Sequence, residues 1–424
     1  MARRIGGYAM ARIVAGLLLY LTLVSLVYAL DKKDYEQFST AYAASQVIGT
    51  LIFGWIYAII PQRVAGLGFD DQIRRQTELT GAFAWMCLVA VAALCAAYLF
   101  GALDISFALL AAVAAMVIAG SASEQAVTLA NAKERPRIYL LASAARSAAG
   151  LVLALLLGVA LDFGAPGVLL GLAIASLLTV GLASKPLHLA AGGLQPIRLG
   201  QLGALLATGI PAIIAFAVYP LAMSINRLVV AQTCSLEAAA ALGAVNDMVA
   251  GPAMLVFAAI NLAIMPAVYG AANRNDHRDF ARRVMGAIGL QIALIVAGAI
   301  FFLLFGGLIG GVLRASSLSP LAADMVPYVG MAVLFFVLIN TAAGIALARR
   351  RIGIAALFGF LVVAGSVALV LGEDCDLIGI SKAFAMLMAG AAIVSLLFVV
   401  GLTRLPPGAD DTPPPEAGLP LSAP

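Results

Sequence analysis

The sequence predicts an all-α polytopic membrane protein with about twelve transmembrane helices, and three observations carry that prediction. Mean hydropathy is +1.06, with 63% hydrophobic and 11% charged residues over 424 positions, outside the range of soluble domains. Apolar runs recur along the whole chain, each long enough to cross a hydrocarbon core of about 30 Å. Lipid satisfies no backbone polar group, so such runs must be helices. Finally, basic residues alternate between the two sides. With the N-terminus inside, nineteen of the 25 Lys and Arg fall on inner segments and five (Lys32, Lys33, Arg227, Arg314, Lys382) on outer ones. Arg146 is left within a helix. That asymmetry follows the positive-inside rule and supports the helix count independently of hydropathy.

Six spans are expected in residues 1–184: Tyr8–Leu30, Thr40–Ile60, Thr80–Gly101, Ile105–Thr128, Ile138–Leu161 and Gly167–Ser184. The first lacks a small-x-small cleavage site before Asp31 and is read as a true helix rather than a signal peptide. Asp31–Ser39 is a charged outer turn. Gln46, in the second helix, is expected to hydrogen-bond a neighbouring helix or to face a cavity. Pro61–Leu79 is an inner loop with Asp70, Asp71, Arg74 and Arg75, and no phosphate-binding Gly-Lys-Ser/Thr pattern follows its glycines. Helices four and five form a hairpin around Asn131–Arg137. Glu124 and Arg146 lie at similar depth in it, roughly 15–18 Å from the turn at 1.5 Å per residue. Ionisable groups at such depth point either to a structural ion pair or to function. Gly167 and Gly171 make a small-residue face suited to close helix packing.

Residues 185–201 carry Pro186, Gly192, Gly193 and Pro196, and read as a cytoplasmic linker between the halves. Residues 202–404 repeat the six-span plan: Leu202–Met223, Leu236–Met265, Val284–Gly306, Met325–Leu347, Ile352–Gly372 and Lys382–Thr403. Two halves entering from the same side would be parallel repeats. A Pro-rich tail, 405–424, is expected to be disordered. Arg349-Arg350-Arg351 is read as a headgroup-anchoring cluster, and Glu373-Asp374-Cys375-Asp376 as an acidic outer turn. Cys87 and Cys95 lie in the third helix, whereas Cys234 and Cys375 both fall outside. Oxidation of that outer pair is open to them, but coincidental placement is the preferred reading.

The stretch from Leu202 to Arg283 holds the most information. It has Gly209-Ile210-Pro211, an exit at Ser224-Ile225-Asn226-Arg227-Leu228, then Asn246-Asp247, Gly251-Pro252 and Met265-Pro266 before the basic segment Arg274–Arg283. Polar pairs and prolines inside membrane helices are costly unless they line a cavity, bind something or move. Pro211, Pro252 and Pro266 are therefore candidate hinges. This stretch resembles the second half of the polysaccharide-exporting (Wzx-like) flippases of the multidrug/oligosaccharidyl-lipid/polysaccharide (MOP) exporter superfamily. Asn226 stands here where that family shows an acidic residue.

The resemblance implies two six-helix lobes around a central cavity. It also implies transport of an undecaprenyl-diphosphate-linked oligosaccharide across a bacterial inner membrane, for O-antigen, capsule or exopolysaccharide synthesis. Implied partners are the lipid-linked oligosaccharide, membrane lipids, and the polysaccharide polymerase and chain-length machinery. Such a cavity needs cations for a diphosphate, for which Arg146, Arg12 and Arg227 are candidates. Gln46, Asn226, Asn246, Asn261 and Asn340 are candidates for sugar hydroxyls, and Glu124 or Asp247 for a coupling ion. The alternatives are a cation-coupled small-molecule or drug antiporter of the same superfamily and an integral membrane glycosyltransferase or polymerase. The short outer loops argue against the enzyme, and no catalytic motif, metal-ligand spacing, cofactor motif or nucleic-acid-binding pattern is present in the sequence.

Overall fold

The structure is a computed structural model that describes residues 2–64, 68–100, 105–133, 135–189, 191, 193, 199–273, 276–314, 321–349 and 351–404. Among these residues there are thirteen α-helices and no strand. The first half holds α1 (Ala2–Ala29), α2 (Lys32–Val64), α3 (Phe69–Leu99), α4 (Phe107–Ala132), α5 (Pro136–Leu155) and α6 (Gly164–Leu187). The second holds α7 (Leu199–Phe216), α8 (Val218–Thr233), α9 (Leu236–Asn273), α10 (His277–Arg314), α11 (Leu321–Ala348), α12 (Ile352–Gly372) and α13 (Leu377–Arg404). Helices α7 and α8 meet at a 75° bend, and because both pack along α12 they are taken together as one broken span. Counting them once gives twelve helical segments, the number expected; among the described residues nine of these, or ten with the bent pair, are by themselves long and apolar enough to cross a membrane.

Local chemistry explains several boundaries. Ser106 caps α4, its hydroxyl accepting the Leu109 N–H at 3.2 Å. Pro136 opens α5, where its missing N–H is harmless. The last turn of α5 widens into a π-helical turn at Leu156–Ala160. The α6 helix starts at Gly164 with φ of +55°, tight against the Asp34 carboxylate, where a Cβ would sit 2.6 Å from an oxygen. At the other end of α6, Lys133 donates to the Leu187 carbonyl at 2.9 Å and to Gln76 Oε1 at 2.6 Å, satisfying a carbonyl that the helix end leaves open. Burial, and then neighbouring Arg135, pull the Lys133 amine below its ordinary range.

Packing divides the helices into two lobes. In the first, α6 packs on α4 and α5, and α1 packs on α5; in the second, α11 packs on α9, α10 and α13. The α5–α6 contact uses the glycine face directly. A Cβ at Gly171 would lie 2.6 Å from the Leu153 carbonyl oxygen, and one at Gly167 2.5 Å from that of Leu157. The lobes touch through α1 and α2 on one side and α7, α8 and α9 on the other. Apolar faces such as Leu303, Leu304 and Leu308 of α10 point outward, as lipid contact requires.

Several expectations are corrected here. Asp31–Ser39 is not a solvated turn: α2 starts at Lys32, and Tyr35, Phe38 and Ser39 on it are buried. Most of Pro61–Leu79 is helical too, since α2 runs to Val64 and α3 starts at Phe69. The seventh span does not leave the membrane at Ser224: the helix restarts after its bend and continues to Thr233, so Asn226 and Arg227 lie inside it, at 1% and 4% exposure. Arg227 therefore drops out of the outer basic tally. Cys234 and Cys375 are joined as a disulfide, with 5.7 Å between Cα atoms, so their placement is not coincidental. The disulfide closes the turns after α8 and after α12. By helix alternation, that end of the molecule also carries the α1–α2 turn, and the opposite end carries Arg74, Arg75, Arg135, Arg278 and Arg351.

Candidate functional site

Between the lobes lies a cavity of about 630 Å³. Stripes of small and polar residues at helical spacing build its walls: Ser143, Arg146, Ser147 and Gly150 on α5; Gly120, Ser121 and Glu124 on α4; Gly243, Asn246, Asp247 and Gly251 on α9. Residues three and four apart share a helix face, so each stripe presents one polar edge to the cavity. On α2 the lining begins at Tyr42 and runs through Ser45, Gln46 and Gly49 to Tyr57. Tyr139, in the first turn of α5, also lines it. The lining stops six residues short of the disulfide-side ends of α1, α8 and α9, at Leu23, Arg227 and Leu242, and comes within three residues of the basic end of α5 at Tyr139, so the cavity lies nearer the basic end.

Each lobe contributes one ion pair to the wall. In the first, Arg146 donates to the Glu124 carboxylate across the α4–α5 hairpin; Glu124 is half exposed and Arg146 a quarter. In the second, Arg227 faces Asp247, with 3.7 Å between Nη1 and Oδ2. That pair is nearly dry, with side-chain exposures of 5% and 14%. Arg227 also donates to the Ser39 hydroxyl of the opposite lobe. Its guanidinium rests directly on Gly243, where any Cβ would collide with it. Tyr42 lines the cavity one turn from Gln46, to which its hydroxyl hydrogen-bonds. Tyr219 donates to Asn246 Oδ1 at 2.9 Å and is braced by Phe336 and Phe384. Tyr57 donates to the Ser121 carbonyl at 3.1 Å. The lining thus balances two cations with two anions amid hydroxyls and amides.

The structure brings Arg146, Glu124, Arg227, Asp247, Asn246 and Gln46 to this one cavity. It does not bring Asn226, which is buried outside the lining with its side-chain oxygen unpartnered. Asn261 and Asn340 also lie elsewhere. Asn261 Oδ1 accepts from Gln291 at 2.8 Å and from Thr341 at 3.1 Å. Asn340 receives a long contact from Asn261, at 3.5 Å, and reaches the Phe216 carbonyl at 3.4 Å. Phe216 is the last residue before the α7–α8 bend, and the residue four later, Pro220, has no N–H to give it. The amide cluster therefore supports a broken helix rather than a ligand. The bend itself falls at Ala217, six residues past Pro211, which stays inside α7. The side chains of Arg12, Pro252 and Pro266 lie outside the described residues.

Sequence reasoning missed Tyr42, Tyr57, Tyr219, Ser39 and Gly243. The charged and amide positions Glu124, Arg146, Asn246 and Asp247 were legible; the tyrosines were not, because an aromatic at helical spacing is more often core than cavity.

No protein-family model matches the chain, and no curated protein matches it in sequence. Solved structures do match its fold. A multidrug resistance MATE family transporter of the MOP superfamily, in an outward-facing conformation, superposes with a TM-score of 0.65 at 13% identity. That match covers 94% of this chain and 95% of the other. A MOP superfamily transporter from Pyrococcus furiosus, described as having a binding pocket of reverse polarity, gives 0.64 at 13% over 94% and 95%. The eukaryotic MATE transporter AtDTX14 gives 0.63 at 15%, over 95% of both chains. The chain has the fold of the MATE transporters: twelve membrane helices in two lobes with a cavity between them.

Proposed function

We propose that the chain is an alternating-access transporter that exchanges a small polar solute for a cation. The observation that carries this reading is the cavity itself. It lies between two lobes, holds a carboxylate–guanidinium pair on each, and stops short of the disulfide end. A volume of about 630 Å³ suits a drug-sized solute, within the roughly 300–1,000 Å³ of small-molecule sites. The multidrug transporters sharing its fold point to the same class. Glu124 and Asp247 offer the carboxylates at which a proton or metal cation would exchange with solute. A cation arriving at either carboxylate releases its arginine, so the charge state of the wall changes with each exchange.

The second reading is export of a lipid-linked oligosaccharide, and a different feature favours it. Arg146 and Arg227 line one cavity from opposite lobes, and guanidinium forks suit diphosphate oxygens. Hydroxyls and amides around them suit sugars. In this orientation the basic end is cytoplasmic and the disulfide end lies in the oxidising compartment outside, which agrees with the chemistry of disulfides. The discriminating experiment deletes the gene and follows two readouts in parallel. Loss of cation-driven efflux of small solutes, restored by the cloned gene, supports the antiporter. Accumulation of a lipid-linked glycan in the inner leaflet, with solute efflux unchanged, replaces it with the flippase.

A further inference from the structure

We propose that Arg227 is the lock that keeps the lobes shut at the disulfide end, with Ser39 as its catch and Gly243 as its seat. The inference deepens the alternating-access reading and rests on it. Four observations converge. Arg227 belongs to α8 of the second lobe, yet it donates to Ser39 on α2 of the first, a residue with no exposed surface. Asp247, on its own lobe, holds the guanidinium in place without satisfying it, since Nε has no partner. Gly243 leaves the space that the guanidinium occupies. Beyond this point, toward the disulfide end, the interface is closed: Tyr35 and Phe38 are 3% and 1% exposed, and Ala239, Ala240 and Ala241 are fully buried.

A second contact crosses the same seam at the rim, where Lys32 pairs with Glu237 at 2.8 Å. Its partners are 48% and 46% exposed, so water and salt screen it and it contributes little. The Arg227–Ser39 bond is dry and charge-assisted, the stronger kind. Opening the seam must break it, and the same guanidinium already forms part of the cavity wall. One side chain would thus serve the closed gate and the wall of the solute site together.

The test measures distance, and requires no knowledge of the solute. Spin labels are placed at Lys33 and Ser235, on either side of the seam, in full-length protein lacking its native cysteines. The distance distribution is then compared with and without Ser39→Ala and Gly243→Ala. Removing one hydroxyl or adding one methyl leaves the charges intact, and the group that a Cβ at Gly243 meets is the far end of a flexible side chain that can shift; the amount of folded protein is matched between variants. Ser39→Ala is expected to raise the open-to-closed ratio roughly tenfold, as loss of a charge-assisted hydrogen bond would. Gly243→Ala is expected to shift it in the same direction by displacing the guanidinium, and Lys32→Gln by less than about twofold. Unchanged distances in both Ser39→Ala and Gly243→Ala would overturn the lock, as would a larger effect from Lys32→Gln. A shift in distance with no solute transport by the parent protein would leave the lock standing and sink the transport reading instead.

Discussion

At the scale of single residues, the cavity poses one energetic question: what holds Arg146 and Glu124 within a membrane helix hairpin. An unpaired charge at a helix centre costs at least about 2.5–3.5 kcal/mol on insertion scales. Each therefore needs the other when the cavity is empty. If that were the whole of their purpose, neutralising both would restore insertion and transport together. The expected outcome differs. Glu124→Gln/Arg146→Gln should reach normal levels in the membrane yet lose at least tenfold in the transport proposed above, because both charges face the cavity. Arg146→Lys should retain partial activity, since charge survives while the planar fork does not. Transport rates normalised to membrane protein decide it, and full activity in the double variant would make the pair purely structural.

At the scale of elements, the broken seventh span and the α5–α6 contact each depend on one kind of atom. The Phe216 carbonyl loses its helical donor at Pro220 and is met by Asn340 instead. Asn340→Ala should lower stability by about 1 kcal/mol, the net worth of one hydrogen bond to a part-buried carbonyl. Pro220→Ala supplies a backbone N–H to that carbonyl, so the same substitution should cost less in its background. Thermal unfolding of the four variants in detergent gives the coupling directly; additive losses would mean that Asn340 does not serve the bend. On α6, Gly171→Leu has no space, because even a Cβ sits 2.6 Å from the Leu153 carbonyl oxygen. That substitution should separate α5 from α6, lower the unfolding temperature and reduce the amount of folded protein. An unaltered melting curve would show that the helices slip apart at little cost.

At the scale of the whole molecule, two features report orientation. Basic residues gather at one end and the disulfide sits at the other. Cysteine substituted at Lys33 should be labelled in intact cells, and at Ala191 only after permeabilisation. The native pair Cys234 and Cys375 should resist alkylation until a reductant is added, a result read by mass. The bond spans 141 residues and joins the turn after α8 to the turn after α12. Closing a loop of that length in a free chain is worth about 5 kcal/mol. Helices already inserted in a bilayer have less freedom to lose, so the effect of reduction on stability should fall below that figure.

Composition and patterning alone determined the class, because lipid imposes the same demand on every spanning segment. Length, apolarity and alternating basic turns suffice to read twelve helices. They also showed Glu124 and Arg146 at one depth, since depth along a helix is a count of residues. What the chain could not disclose depends on which helices become neighbours. Arg227 read as an outer residue because Asn226 and Arg227 together interrupt an apolar run, and only the fold supplies Asp247 and Ser39 to meet the charge. Asn261 and Asn340 read as sugar ligands because polarity in a membrane helix has two outlets, a cavity or another helix, and tertiary packing chose the second. Cys234 and Cys375 lie 141 positions apart, and only packing places them 5.7 Å from each other. The sequence determined what must be buried in lipid; the tertiary structure decided which polar groups face each other inside it, because contact across helices is not a property of any one segment.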